Sequence, residues 1–353
     1  MKFSNFLFTE SRDPAKDGQI IDEALKEAQL CDRLGMETLW LAEHHFDGNC
    51  GYVEPVTFAA ATAATTKQIK IGFAVAQVSL HHPVRLAENM AILDHLSHGR
   101  VIVGLGRGTA HNVYEYQGYD LDPTEAQERL NEAQQIMMRC WTETDIVHEG
   151  KFWNLRIPQC RPVPYTRPHP YVIRASSTEG SMVQLAKEGK PFMMNIQSVE
   201  TIKHRMDLYR KTMREAGHDE GYVQNMVDQC WVWRNIFVSD TDERARKVGI
   251  PAFEQMQAHR KSMRERVMKE QGLNMSHDKA VKEPPARTQP EHSLLCGAPA
   301  TVADSIREIE KANVGGLILS FRLGPMPYEE AANSIELFMT KVAPEFRTRM
   351  AAE

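Results

Sequence analysis

Trp40-Leu41-Ala42 runs directly into Glu43-His44-His45-Phe46. An apolar strand ending in a carboxylate and two imidazoles is how a buried barrel strand presents chemistry at its C-terminal mouth. Imidazole titrates near neutrality and can act as acid, base or hydrogen-bonding group. Adjacent strand residues point to opposite faces, so His44 and His45 are poorly placed to chelate one metal ion. One of them should face the barrel axis or mouth and the other the surrounding helices. The same reasoning covers His81-His82-Pro83, and no HExxH is present; no metal site is expected. His44 and Glu43 also have plain structural readings, as a satisfied hydrogen-bonding ring and as a buried partner for a neighbouring backbone group.

Two further stretches carry polar groups to strand ends. Gly104-Leu105-Gly106-Arg107-Gly108 would let backbone approach a ligand closely, and the Arg107 guanidinium offers a bidentate fork for phosphate. Taken alone it is equally a tight turn with a solvated arginine. Ser176-Ser177-Thr178-Glu179-Gly180-Ser181 opens a helix. Hydroxyls there are ordinary N-caps, but with the unpaired N–H groups of a helix start they also make an anion site. Together with Arg107 they point to a phosphate-bearing cofactor. The glycine run is not a dinucleotide fingerprint, because the third glycine of G-x-G-x-x-G would fall at Thr109. G-x-S-x-G, an activated-cysteine motif and a glycine loop followed by G-K-[ST] are all missing, which disfavours hydrolase and NTPase readings.

Short β-rich runs alternate with amphipathic helical stretches, and this alternation positions the polar tips. Strands are predicted at Phe3–Phe8, Thr38–Ala42, Ile69–Ala76, Val101–Leu105, Tyr171–Ala175, Phe192–Ile196, Gln229–Val238 and Leu317–Phe321. Helical patterns between them include Ile20–Leu34, Leu86–Leu96, Glu125–Trp141, Met182–Glu188 and Val199–Ala216. Such alternation argues for a parallel sheet. Eight units close naturally into a (β/α)8 TIM barrel with insertions at its C-terminal mouth; a doubly wound open sheet is the rival. Residues 1–353 are read as one such domain. Proline-rich residues 150–170 are expected to be an insertion crossing the mouth before strand five. Residues 255–292, strongly polar and containing Glu283-Pro284-Pro285 and Gln289-Pro290, are expected to form a mobile lid.

The bulk figures fit this picture. A chain of 353 residues suits one α/β barrel with insertions, and 42% hydrophobic with 25% charged residues is ordinary globular composition. A net charge of −5 with scattered Lys and Arg gives no nucleic-acid stripe. The six cysteines are widely spaced with no CxxC, so buried thiols are expected rather than disulfides. With no signal segment and no apolar run of membrane-spanning length, a cytoplasmic protein that meets no membrane is expected.

Several motifs, in order, resemble the bacterial luciferase-like flavin monooxygenases: Met1–Leu7, Trp40–Phe46, His82-Pro83-Val84-Arg85, Leu93–Arg100, Gly104–Gly108, Cys296–Pro299, and Ser334–Phe338 with Val342-Ala343-Pro344. The resemblance spans nearly the whole chain except about 250–292. It implies a (β/α)8 barrel binding reduced FMN at the C-terminal mouth, with Glu43 and Gly106 beside the cofactor. Arg107, Ser177, Thr178 and Ser181 would hold the phosphate. The flavin ring would lie against Ala74-Val75, where the family often has a non-proline cis peptide, and His44 would match the active-site histidine. The implied reaction is a two-component monooxygenation. A separate NAD(P)H:flavin reductase supplies reduced FMN, O2 adds at C4a, and the hydroperoxide oxygenates a small hydrophobic organic substrate. A homodimer is common in the family. A deazaflavin-dependent dehydrogenase of the same superfamily and a non-catalytic flavin-binding protein are the alternatives. Gly106 stands where the luciferase α chain has a reactive cysteine, and Met194 and Ile196 where it has tryptophans. Light emission and a long-chain aldehyde substrate are therefore not carried over.

Overall fold

The apolar runs form strands buried on both sides, as parallel strands wrapped by helices must be. The structure, a computed structural model, describes residues 1–46, 50–108, 113–176, 178–271 and 286–347. In chain order the strands are β1 (Lys2–Leu7), β2 (Thr38–Leu41), β3 (Lys70–Phe73), β4 (Ala76–Gln77), β5 (Val101–Gly106), β6 (Ile146–Glu149), β7 (Asn154–Ile157), β8 (Tyr171–Ser176), β9 (Phe192–Met194), β10 (Trp231–Val238), β11 (Leu294–Gly297) and β12 (Gly316–Ser320). β1, β2, β3, β5, β8, β9, β10 and β12 pair in parallel around a closed ring. Trp231 closes it, lying opposite Met193 on one side and Gly316 on the other. The expected (β/α)8 barrel is thus what forms, and the open sheet is excluded.

Side chains fill the barrel in layers from the closed end to the mouth. The Trp40 indole donates to Ser4 Oγ at 2.8 Å and meets Trp231 edge-on, ring centres 5.6 Å apart. Above it Phe6 packs on Trp233 at 4.6 Å, and above that Phe8 meets His44 edge-on at 5.6 Å. The first layer exists only because glycine stands opposite the tryptophans. A Cβ on Gly72 would lie 2.4 Å from Trp40 Cε3, and one on Gly316 2.4 Å from Trp231 Cζ3.

The structure departs from expectation in four places. The strand expected over Ile69–Ala76 is interrupted by a cis peptide at Ala74–Val75, giving β3 and β4. β11 is an extra short strand alongside the far end of β10, Asn235 opposite Leu294; four residues behind a proline leave too short an apolar run to stand out. The proline-rich segment does not cross the mouth. After the antiparallel β6–β7 hairpin it runs under the other end of the barrel. There Asp94, near the C-terminus of the helix Pro83–Leu96 that leads into β5, accepts from Thr166 N and Oγ1 at 2.7 and 3.1 Å. Proline has no N–H to give a sheet, so the segment is tied down by such side-chain contacts instead.

The fourth departure concerns residues 255–292. Residues 255–271 are the second half of a thirty-residue helix, Asp242–Gln271. Its polarity is that of strong helix formers, with Lys261–Glu265 and Arg266–Glu270 pairs one turn apart. Residues 272–285, including Glu283-Pro284-Pro285, lie outside the described residues, and Pro290–Ser293 is a short helix. Phe253 and Met256 pack with Phe237, Leu323 and Met326 in a second small core. Farther along, Arg260 lies over Phe8, and the end of the helix meets Tyr114 and Gln117 beyond β5. The helix therefore bridges the mouth from the β10 side to the β5 side, as a roof. Among the described residues no disulfide joins any of the six cysteines, and no helix is long and apolar enough to cross a membrane.

Candidate active site

Where β2 ends, strand alternation parts the two histidines. His44 turns inward beside Phe8. His45 turns outward, and its Nε2 donates to Glu43 Oε1 at 3.1 Å while Nδ1 lies 3.2 Å from Tyr119 Oη. Glu43 Oε1 also receives His81 Nε2 at 2.6 Å, and Oε2 receives Gln77 N–H at 2.6 Å. Burial alone would raise the Glu43 pKa, but these bonds and the nearby His81 charge outweigh it and hold the carboxyl at about 2. Burial lowers the His81 pKa; Glu43, by hydrogen bond and charge, more than offsets it, and the net shift is upward. Glu43, expected beside a cofactor, thus has both oxygens engaged within the protein.

A second carboxylate, which sequence reasoning did not find, holds His44. Glu115 Oε1 accepts from the backbone N–H of His45 at 3.0 Å and lies 3.2 Å from His44 Nδ1. Glu115 Oε2 accepts from Gln77 Nε2 at 2.6 Å, and Gln77 Nε2 also reaches the Glu43 carbonyl at 2.9 Å. Glu115 belongs to the helix Val113–Gly118 and is buried. Nothing in Val113-Tyr114-Glu115-Tyr116 marks it, since its importance depends on a contact 71 positions away. Among the described residues no group of His, Cys, Asp and Glu is arranged to hold a metal ion.

The proposed phosphate residues follow neighbouring strands on another part of the rim. β5 and β8 are paired neighbours, Leu105 opposite Arg174, so the loops leaving them are adjacent. Arg107 follows β5, its carbonyl accepting from Tyr116 Oη at 2.6 Å. Thr178 caps the helix Glu179–Lys187, its Oγ1 accepting from Ser181 N. Ser181 Oγ lies 2.5 Å from Ser176 Oγ. Ser177 lies outside the described residues. Between this rim and the histidines stand Ala74-Val75 and Gly106, and a Cβ on Gly106 would lie 2.4 Å from Val75 Cγ2. Hydroxyls, helix N–H groups and a guanidinium on one side of a barrel mouth suit a terminal phosphate.

The sequence pattern of the luciferase-like monooxygenases matches residues 1–315. Over 250 residues, 69% of its length, the chain is 28% identical to the oxygenase component of a flavin-dependent trigonelline monooxygenase from Acinetobacter baylyi, covering 67% of that protein. It spans 62% to 67% of the length of that protein and three other curated relatives it matches. Among solved structures, the monooxygenase RslO1 from Streptomyces bottropensis superposes with a TM-score of 0.80 at 28% identity, covering 98% of this chain and 100% of that one. An F420-dependent secondary alcohol dehydrogenase shares the fold, with a TM-score of 0.71 at 16% identity over 97% and 98% of the two chains.

Proposed function

The chain belongs to the luciferase-like monooxygenase family, and on that footing we propose that it is the oxygenase component of a two-component, reduced-FMN-dependent monooxygenase. A separate NAD(P)H:flavin reductase would supply the reduced flavin. Reduced FMN provides the two electrons that, with O2, place one oxygen atom in a hydrophobic organic substrate and release the other as water. The observation that carries this reading is that Arg107, and Thr178 with Ser181, follow two paired strands on the same barrel mouth as a histidine backed by a buried carboxylate.

Each residue has a part. Arg107, Thr178, Ser181 and Ser177 bind the phosphate, while Gly106 and Ala74-Val75 back the flavin ring. Glu115 fixes the His44 ring through Nδ1, so that Nε2 gives or takes the proton. Glu43, through His45, His81 and Gln77, stiffens the base of that arrangement. The roof helix Asp242–Gln271 keeps water from the mouth.

Anaerobic titration with reduced FMN, reduced FAD and a reduced deazaflavin, followed by tryptophan fluorescence, tests the cofactor. Reduced FMN should bind tightest, and the complex should then consume oxygen. Preferred binding of the deazaflavin with no oxygen reaction would assign a hydride-transfer dehydrogenase instead. Reduced-FMN binding with no oxygen reaction and no turnover would leave a flavin-binding protein.

A further inference from the structure

The roof helix turns one face to the mouth: Phe253, Met256 and Val267 are buried on it, and Arg260 and Arg264 stand between them, half-buried. Arg287 joins them, held beside the helix by Gln257 Nε2, which donates to the Arg287 carbonyl at 3.1 Å. Beneath is an aromatic wall. The Arg260 guanidinium lies 5.7 Å from the centre of the Phe8 ring, Phe8 stacks on Phe6 at 5.7 Å, and Phe6 packs on Trp233.

These three guanidinium groups are under-compensated. None forms an ion pair among the described residues. Glu10 is near enough for Arg260 to feel its charge, but Arg12 already binds Glu10 through Nε at 3.0 Å and Nη2 at 2.5 Å. Glu265, whose charge acts on Arg264, is exposed and shared with Lys261. Burial depresses the pKa of all three arginines, and Arg264 with Arg287 further depresses that of Arg260. Two donors here are buried with no acceptor, Arg287 Nε and Trp233 Nε1. Half-buried cations without a counter-ion, and orphan buried donors, are costly unless a ligand completes them.

We propose that the roof arginines Arg260, Arg264 and Arg287 form a subsite for the anionic end of the substrate, a carboxylate or comparable oxyanion, while its apolar body lies on Phe6, Phe8 and Trp233. The inference rests on the monooxygenase reading and names the substrate class for that site. It places the anion over the β1 and β10 side of the mouth, whereas the cofactor phosphate belongs to the β5 and β8 rim. The substrate then enters under the roof with its charge held by the helix and its apolar part directed towards His44.

The test uses the full-length protein without flavin and four probes, benzoate and 1-naphthoate beside benzamide and 1-naphthamide. Binding is read by calorimetry and by Trp233 fluorescence. At least one acid should bind tenfold or more tightly than its amide, and Arg260→Met and Arg287→Met should each abolish that preference. Reduced-FMN affinity, measured separately, should stay within twofold of the parent in both variants. Acids binding no better than amides, or no probe binding at all, would overturn the subsite. Loss of reduced-FMN affinity in both variants would mean that the arginines serve the cofactor phosphate, which also overturns it. Failure of the parent to bind reduced FMN would instead strike at the monooxygenase reading.

Discussion

His44 and Glu43 sit side by side in the chain and do different work. His44 faces the mouth with Glu115 behind it, so its loss should fall on chemistry and not on folding. His44→Ala should lower coupled turnover by about 10²–10⁴, the contribution of one acid–base group, with more hydrogen peroxide released. Melting temperature and turnover measured on one preparation check this; a lower melting temperature with parental turnover per folded molecule would make the ring structural. Glu43 is the structural partner. Its carboxyl is held at about 2, so its contribution to stability is complete above the ordinary carboxylate range and lost as pH falls towards 2. His81 is shifted up, so its contribution is complete below the ordinary imidazole range and lost as pH rises through its elevated value. The stability difference between parent and Glu43→Gln should therefore peak between roughly pH 4.5 and 6.5, at about 3–5 kcal/mol for one-sided loss of a buried pair. Urea unfolding across that range and on either side of it reads the effect, and a pH-independent difference would contradict it. The histidine tip was legible because an apolar strand ran straight into it. Glu115 was not, because a buried acid in a short helix has no local pattern.

The roof helix is anchored unevenly. Its first half is packed through Phe253 and Met256 into a small core, while its far end is held by Tyr114–Glu270 and Gln117–Gln271 contacts at the surface. Local opening follows such differences in buried contact. Amide exchange should therefore be faster over 262–271 than over 245–256 in the free protein, and should slow over 262–271 when flavin and substrate are bound. Tyr114→Phe should speed exchange at the far end further; uniform strong protection along the helix would contradict this uneven anchoring. In the sequence this element looked like a polar insertion. Over residues 255–271 its apolar residues are few and widely spaced, and Arg260 among them lies over the Phe8 ring. Charge density alone does not tell a solvated lid from a helix that turns cations inward. Strands were far easier to read, because burial on both faces leaves unbroken apolar runs. β11 and the β6–β7 hairpin escaped notice because short strands outside the ring need no such run.

At the scale of the molecule, the barrel brings a binding rim and a reactive rim to one opening. On the proposed reading, Arg107 and the hydroxyls after β8 would serve the first, and His44 with Glu115 the second. The layered interior of Trp40, Trp231, Phe6, Trp233 and Phe8 supports both from below. The eight-unit alternation announced this architecture, since parallel strands joined by helices have few ways to close. What closure hides is which loops meet across the mouth, and so the roof arginines and Glu115 emerge only from the assembled barrel. The most direct test of the division of labour is anaerobic calorimetry of reduced FMN binding to the parent, Arg107→Ala and His44→Ala. Arg107→Ala removes a charge-assisted hydrogen bond of roughly 1.5–3 kcal/mol, so its affinity should fall about ten- to hundredfold. His44→Ala should bind within a few-fold of the parent. Parental affinity in Arg107→Ala, or a large loss in His44→Ala, would contradict the account.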